Sequence, residues 1–400
     1  MNVSRISDKV HYIGVNDRTT TRFEALWPLP FGVSYNSYLI CGEKTAIIDG
    51  VETAHALRHI DHIRAITNGR HPDYLIINHM EPDHSGAIRI LREAFPDITI
   101  VGNSITLSMI EGFYGVTDNT IEVRDGHSLS LGCGVTLTFA MTPMVHWPET
   151  MMTYFAEERM LFSGDAFGCF GALNGAVIDS DMETAPYIPE MIRYYSNIVG
   201  KYGQHVQRAL SKLASLPVDT ICPTHGPVWR DRTSDITGLY DMMSRYEPLD
   251  NGATIVYGSM YGNTESMAEA AAEGLASGGV REIAVHNASV SDLSYIIADI
   301  FRHRGLIIAS PTYSATLFPP VRAVMEAIAV RGIRNRHLAL LGSCTWAQQA
   351  LKIMEQYAGD CGMTTVAPSV NVKQSPTSQQ IAQCRETGLT MARMLNDRKP

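Results

Sequence analysis

The stretch that most constrains this chain is His79-Met80-Glu81-Pro82-Asp83-His84, which places four potential metal ligands within six positions. It directly follows an apolar run, residues 74–77, which predicts a strand. A loop at a strand end is held on one side while its backbone remains free to curl around an ion. Two imidazoles and two carboxylates suit a first-row transition metal better than calcium or magnesium. Any one of these residues taken alone would more often belong to a polar surface loop.

Three later segments repeat this pattern of a ligand type after a strand-like run. They supply His146 in residues 142–148, Asp165 in residues 162–165 and His225 in residues 221–226. Together with the first stretch this makes seven candidate ligands, which is too many for one tetrahedral ion. The set fits two ions that share one carboxylate. Asp165 is the candidate bridge, because a carboxylate has two oxygens, whereas imidazole with its second nitrogen hydrogen-bonded cannot link two metals.

Two domains are expected. Residues 1–250 read as strands of an antiparallel sheet followed by alternating helices and strands. Residues 247–252 contain a Pro and a Gly around polar residues, which indicates a boundary. From residue 251 to residue 400, five apolar runs alternate with helical segments, and this pattern is typical of a doubly wound parallel sheet. The predicted fold class is therefore α/β multidomain.

A second candidate site lies at strand ends of the second domain. The first strand leads into Ser259, Met260, Tyr261, Gly262, Asn263 and Thr264 before a helix. Such a loop binds a phosphate through backbone N–H groups, hydroxyls and the helix dipole, although a plain strand-to-helix turn is about equally compatible with this segment alone. Two further strand ends fall beside the expected switch point of the sheet. They contribute Pro311, Thr312, Tyr313 and Ser314, then Ser343, Cys344, Thr345 and Trp346.

The ligand order His-x-Glu-x-Asp-His, then His, Asp and His, resembles the metallo-β-lactamase fold. Zinc hydrolases of that fold usually have histidine at the position of Glu81. That glutamate and the second domain resemble the flavodiiron proteins, which reduce dioxygen or nitric oxide. The resemblance implies an αββα sandwich followed by a flavodoxin-like domain, with FMN enclosed by the three loops.

The same resemblance implies an oxo- or hydroxo-bridged diiron centre. One iron would take His79, Glu81 and His146, the other would take Asp83, His84 and His225, and Asp165 would bridge them. It further implies a separate electron carrier, a rubredoxin or reduced coenzyme F420, and a head-to-tail homodimer that can pair into a dimer of dimers. The 400 residues contain no Cys-x-x-Cys pair, which argues against a rubredoxin module among them.

Charge and hydropathy exclude some classes of protein. The net charge is −9, and residues 251–400 carry 13 Lys+Arg against 11 Asp+Glu, so neither domain has the basic excess of a nucleic-acid binder. The +2 domain could dock an acidic carrier. No apolar run approaches the length of a membrane span, and the polar start predicts a cytoplasmic protein.

Two other functions remain open from the sequence. One is a zinc-dependent hydrolase of the metallo-β-lactamase fold with an appended redox domain, against which Glu81 and the flavin loops speak. The other is a non-catalytic flavin carrier with a relic metal domain, which predicts eroded ligands, whereas none of the seven is missing.

Overall fold

The structure, a computed structural model, describes residues 4–397, and the chain divides into two compact units. The first comprises residues up to 195 and 202–241, and the second comprises 196–201 and the residues from 242 onward. The division into domains 1–250 and 251–400 remains a prediction, and residues 1–3 and 398–400 of those ranges lie outside the described part.

The first unit contains two sheets. The larger sheet has the strand order β1-β2-β7-β8-β9-β10-β11, and the smaller has the order β12-β13-β14-β15-β16. Two further strand pairs, β3 with β6 and β4 with β5, are separate from these sheets. The strands of the unit are β1 Ser4–Arg5, β2 Val10–Tyr12, β3 Val15–Asp17, β4 Arg22–Phe23, β5 Trp27–Pro28, β6 Val33–Tyr35, β7 Tyr38–Cys41, β8 Thr45–Ile48, β9 Tyr74–Ile76, β10 Thr99–Gly102, β11 Thr120–Glu122, β12 Ser128–Gly132, β13 Val135–Met141, β14 Met151–Phe155, β15 Met160–Gly164 and β16 Thr220–Pro223.

Helices connect many of these strands and complete the predicted sandwich. They are α1 Ala56–Thr67, α2 Pro82–Ser85, α3 Ile88–Ala94, α4 Ser104–Tyr114, α5 Tyr187–Tyr194, α6 Gly203–Leu213 and α7 Thr233–Ser244. Strands β8, β9, β14, β15 and β16 are buried at every position, which explains their apolar runs. The metallo-β-lactamase-like fold predicted for this region is confirmed.

The stretch from His79 to His84 is only partly a loop, which corrects the sequence interpretation. Helix α2 begins at Pro82, with Glu81 as its N-cap, so Asp83 and His84 lie on a single helical turn. Proline is favoured at the first helical position, because its missing N–H needs no partner there and its φ is already helical. The turn therefore holds two neighbouring candidate ligands on rigid backbone.

The second unit contains a parallel sheet with the strand order β18-β17-β19-β21-β22, in which β23 also pairs with β21. The short strand β20 pairs with β19 in the antiparallel direction. Its strands are β17 Asp250–Tyr257, β18 Ile283–Asn287, β19 His303–Tyr313, β20 Thr316–Leu317, β21 His337–Cys344, β22 Thr364–Thr365 and β23 Val370–Lys373. Its helices are α8 Asn263–Ser277, α9 Leu293–Arg302, α10 Pro319–Arg331, α11 Ala350–Asp360 and α12 Ser378–Asn396.

The flavodoxin-like fold is thus confirmed, with two differences in detail. Strand β23 was not predicted as a separate strand. Strands β19 and β21 extend through Tyr313 and Cys344, so parts of the two predicted loops are strand ends. Among residues 4–397, no helix is both long and apolar enough to span a bilayer.

Candidate functional site

Four connections of the first unit bring the seven predicted ligands together. His79 follows β9, His146 lies between β13 and β14, Asp165 directly follows β15, and His225 follows β16. Asp83 and His84 come from α2, and Glu81 precedes it. The backbone of the His79 turn is fixed by Asp49, whose Oδ1 accepts the N–H groups of Asn78 (2.7 Å) and His79 (3.3 Å). Strand ends converge here, as the sequence predicts.

The first group consists of His79, Glu81, His146 and Asp165, all buried. The Nε2 atoms of His79 and His146 are 3.2 Å apart. Oε2 of Glu81 lies 3.4 Å from the first and 3.2 Å from the second. Oδ2 of Asp165 lies 3.4 Å and 3.0 Å from the same two nitrogens. Four donor atoms thus surround one point.

The second group consists of Asp83, His84 and His225. Oδ2 of Asp83 lies 3.2 Å from Nε2 of each histidine. The other oxygen of Asp165, Oδ1, lies 2.9 Å from Nε2 of His84 and 3.7 Å from Nε2 of His225. Asp165 therefore faces the first group with one oxygen and the second group with the other.

These spacings fit metal ions. Donors about 2.1 Å from a common ion are roughly 3.0 to 3.4 Å apart at octahedral to tetrahedral angles. Most of the distances above fall in that range. In addition, both carboxylate oxygens of Asp83 and the Nε2 atoms of His84 and His225 are buried without a hydrogen-bond partner among residues 4–397. Buried polar atoms are rarely left without partners, so these four atoms fit coordination to a cation.

The negative charge of the buried carboxylates in the cluster also favours binding of a cation. Burial alone would lower the pKa of His79, but Asp165, Glu149 and Glu81 raise it well above its usual value. The pKa of His84 and of His146 is raised to about 9 against the same effect of burial, mainly by Asp83 and Asp165 for the first and by Asp165 and Glu81 for the second. The surrounding carboxylates thus favour positive charge at all three histidines, and a bound cation would supply that charge in place of protons.

Several residues that orient the ligands were not identified from the sequence. His79 donates from Nδ1 to Oε1 of Glu149 (2.8 Å), and His225 donates from Nδ1 to the carbonyl of Ser34 (2.7 Å). Thr224 donates from Oγ1 to Oδ1 of Asp165 (2.6 Å). Glu149 is the one member that a sequence signal could have marked, since it is a carboxylate close to His146 in the same connection.

Three aromatic side chains, Phe23, Phe170 and Tyr194, pack on one side of His225 and form what we call the aromatic wall. The rings of Phe23 and Tyr194 lie 5.4 Å and 5.5 Å from its imidazole, and Phe170 packs 5.0 Å from Tyr194. Next to Phe23, Glu24 accepts a hydrogen bond from Nε1 of Trp27 (2.9 Å). The wall excludes water from one side of the cluster.

A separate cavity of about 370 Å³ lies at the carboxyl ends of strands in the second unit. All three predicted flavin loops line it, and of the predicted residues only Gly262 is absent from the lining. Gly262 instead precedes α8 with φ of 90°, a conformation that glycine adopts without strain. The lining residues that the sequence interpretation missed are Ala315, Ala347 and Gln374.

The cavity has the chemistry expected for a flavin phosphate and ring. Helix α8 has no side-chain N-cap, so its first N–H groups are available to a phosphate. No lining residue carries a charge. Tyr261 and Trp346 are 92% and 84% exposed, which is unusual for large aromatic side chains and suits stacking on a planar ligand. The loops therefore fit FMN.

Comparisons with known proteins match both units of the chain. The family described as ODP family beta lactamase matches residues 33–226, and the flavodoxin family matches residues 255–388. An anaerobic nitric oxide reductase flavorubredoxin from Vibrio vulnificus is 32% identical over 394 residues, covering 97% of this chain and 79% of the relative. One from Escherichia coli is 31% identical over 393 residues, covering 97% of this chain and 81% of the relative.

Solved structures are similar to this chain over almost its full length. A rubredoxin oxygen:oxidoreductase from Desulfovibrio gigas superposes with a TM-score of 0.92 at 29% identity, covering 98% of both chains. A flavo di-iron protein from Thermotoga maritima superposes with a TM-score of 0.90 at 26% identity, again covering 98% of both chains.

Proposed function

The chain belongs to the flavodiiron protein family, and we propose on this basis that His79, Glu81 and His146 hold one iron while Asp83, His84 and His225 hold the other. Asp165 is the shared ligand. The chain is an oxidoreductase in which FMN and a diiron centre reduce dioxygen, nitric oxide or both. The observation that carries the residue assignment is the position of Asp165, with one oxygen toward each group of donors.

When bound, FMN and iron would supply the electron-transfer chemistry that reduction of either gas requires. The protein residues hold this centre in place. The hydrogen bonds from His79 to Glu149 and from His225 to Ser34 fix the tautomer in which Nε2 is free to coordinate. The hydroxyl of Thr224 orients Asp165, and the aromatic wall keeps water from one side of the site.

Metal analysis combined with a visible spectrum tests this function. We expect iron close to two equivalents and FMN close to one per chain, with rapid oxidation of the reduced protein by at least one of the two gases. Zinc in place of iron would favour the hydrolase alternative, and FMN without metal would favour a simple carrier. Mixing the reduced protein with each gas separately determines which one it prefers.

We propose that the electron donor is a separate carrier, a rubredoxin. The acidic character of rubredoxins, expected from the family resemblance, complements the +2 charge of residues 251–400. The rate of reduction by rubredoxin should then fall as salt rises. A salt-independent rate, or faster reduction by reduced coenzyme F420, would contradict this choice.

We also propose the head-to-tail homodimer implied by the family, in which the flavin of one chain serves the metal centre of its partner. Mixing a His146→Ala chain with a Gly262→Trp chain tests it. Neither homodimer should turn over, whereas the heterodimer contains one intact flavin facing one intact metal centre. An inactive, verified heterodimer would exclude cross-chain transfer. Assembly into a dimer of dimers and the cytoplasmic location remain predictions.

A further inference from the structure

Glu149 is a buried carboxylate held in one orientation behind the metal ligands. Glu149 as a whole is 1% exposed to solvent. Oε1 accepts two hydrogen bonds, from Nδ1 of His79 (2.8 Å) and from the backbone N–H of Met80 (2.9 Å). Asn103 donates from Nδ2 to the carbonyl of Glu149 (2.6 Å), which fixes the backbone. Oε2 has no partner among residues 4–397. Both hydrogen bonds of the carboxylate are therefore made through Oε1, to His79 and the residue that follows it.

Within residues 4–397, no carboxylate accepts a hydrogen bond from the far nitrogen of either histidine of the second group. Nδ1 of His225 donates to a neutral carbonyl, that of Ser34. Nδ1 of His84 is buried without a hydrogen-bond partner among the described residues. A carboxylate on the far nitrogen of a ligating imidazole increases the basicity of the near nitrogen, and a carbonyl does so less. The two groups therefore differ in the strength with which their histidines donate to a metal.

Net charge increases the same difference. Among the ligands and the groups hydrogen-bonded to them through imidazole, the first group has the carboxylates of Glu81 and Glu149, whereas the second has that of Asp83. The buried carboxylate of Asp49 acts on both groups, through His84 and His79. Asp165 is shared by both. Because all these groups are largely shielded from water, an additional negative charge acts strongly on a nearby cation.

We propose that Glu149 is a positioning residue that makes the two metal positions unequal. The metal position formed by His79, Glu81 and His146 then binds metal first and more tightly. The proposal rests on the ligand assignment given above. It predicts an ordered loading of the site. The position of Asp83, His84 and His225 is then the second to fill and the first to lose its metal.

Substitution of Glu149 separates the effect of charge from the effect of the hydrogen bonds. In Glu149→Gln, the amide oxygen can still accept from His79 and Met80, while the charge is lost. Glu149→Ala loses both. Glu149→Asp keeps the charge but draws it back by one methylene. Glu157→Gln, which removes an exposed carboxylate of the same unit, is the matched control.

The experiment follows cobalt(II) binding to the full chain after removal of its metal by chelation, using the visible bands of the bound ion. We expect two steps in the wild type. His146→Ala should abolish the tighter step, and His225→Ala should abolish the weaker one. Relative to wild type, the tighter step should weaken about tenfold in Glu149→Gln and about 100-fold in Glu149→Ala, with the weaker step and Glu157→Gln unchanged.

Several results would overturn the proposal. Two equal steps in the wild type, or loss of the tighter step in His225→Ala rather than His146→Ala, would exclude the order of loading. A tighter step that is unchanged in Glu149→Gln would exclude the role of charge. Should that variant not fold, Glu149→Asp decides: it must bind more tightly than Glu149→Ala. Failure of the wild type to bind two ions would instead contradict the ligand assignment itself.

Discussion

The metal cluster lies almost wholly out of solvent and is dense in charge, whereas the flavin cavity has an uncharged lining with exposed aromatic side chains at its edge. In the cluster, hydrogen bonds fix the ligands before any ion binds, as the bonds from His79 to Glu149 and from His225 to Ser34 show. In the cavity, the backbone N–H groups at the start of α8 have no side-chain cap, and aromatic rings at the edge are exposed to solvent, so both can contact a ligand. A cation can be bound by preformed charge, whereas a large planar ligand needs an open surface.

The largest effect is expected from Asp165→Asn, which removes the charge shared by both ligand groups. Metal affinity and turnover should fall about 100-fold, because an amide supplies one oxygen where the carboxylate supplies two. Elemental analysis and a turnover assay measure this. FMN content should stay at the wild-type level if the two sites are independent. Full iron content with normal turnover would remove Asp165 from the bridging position.

The matching change in the flavin region is Gly258→Ala. A Cβ at this position would lie 2.5 Å from Cδ1 of Phe318 and 2.8 Å from Cγ2 of Val321. Overpacking of this kind costs about 1 to 3 kcal/mol, and it displaces the start of the phosphate loop, so FMN affinity should fall about tenfold. Flavin fluorescence measures this. Gly359→Ala, where a Cβ meets no atom within 4 Å, is the control and should bind FMN normally.

The stability of the folded protein should depend on pH through the buried His59, which forms a hydrogen-bond network with Ser37 and Asp49. Burial, and then the neighbouring His62, lower the pKa of His59 to about 3. Nε2 of His59 pairs with Oγ of Ser37 (2.9 Å), which itself donates to the carbonyl of Asp49, so the ring is neutral with its proton on Nε2. Protonation would place an N–H on Nδ1, which is buried without a partner among residues 4–397.

Since the folded pKa lies below the unfolded value of 6.5, this stability is present above pH 6.5 and is lost as pH falls toward 3. Between pH 7 and pH 5.5 the loss should reach roughly 1 kcal/mol. Thermal unfolding monitored by circular dichroism measures it. His59→Gln should flatten the dependence, whereas the exposed His127→Gln should leave it as in the wild type. Equal slopes in all three proteins would refute this role for His59.

The smallest effect is expected from Trp346→Ala. Because the side chain is 84% exposed, its removal should leave the melting temperature of the flavin-free protein unchanged. FMN affinity should fall only about fivefold, since an aromatic stacking contact contributes about 1 kcal/mol. Titration with FMN and a thermal melt measure the two quantities. Val290→Ala, at a side chain 82% exposed in the same unit, is the control that should affect neither.

Much of this protein could be predicted from the sequence because the relevant signals are local. Apolar runs predicted the strands, and the positions of polar residues directly after them predicted which side chains would meet at sheet edges. The seven ligand types and the doubly wound sheet were identified in this way, whereas the metallo-β-lactamase-like sandwich and the flavin were expected from the family resemblance. Both predicted folds are confirmed.

The tertiary structure decided what depends on contacts between distant parts of the chain. Ser34 accepts from His225 across 191 positions, and Glu149 accepts from His79 across 70. No periodicity records such pairs, because a hydrogen bond depends on distance and angle in space rather than on spacing in sequence. The sequence therefore determined which donor atoms are available. Only folding decided which oxygen of Asp165 faces which group and which histidine has a carboxylate behind it.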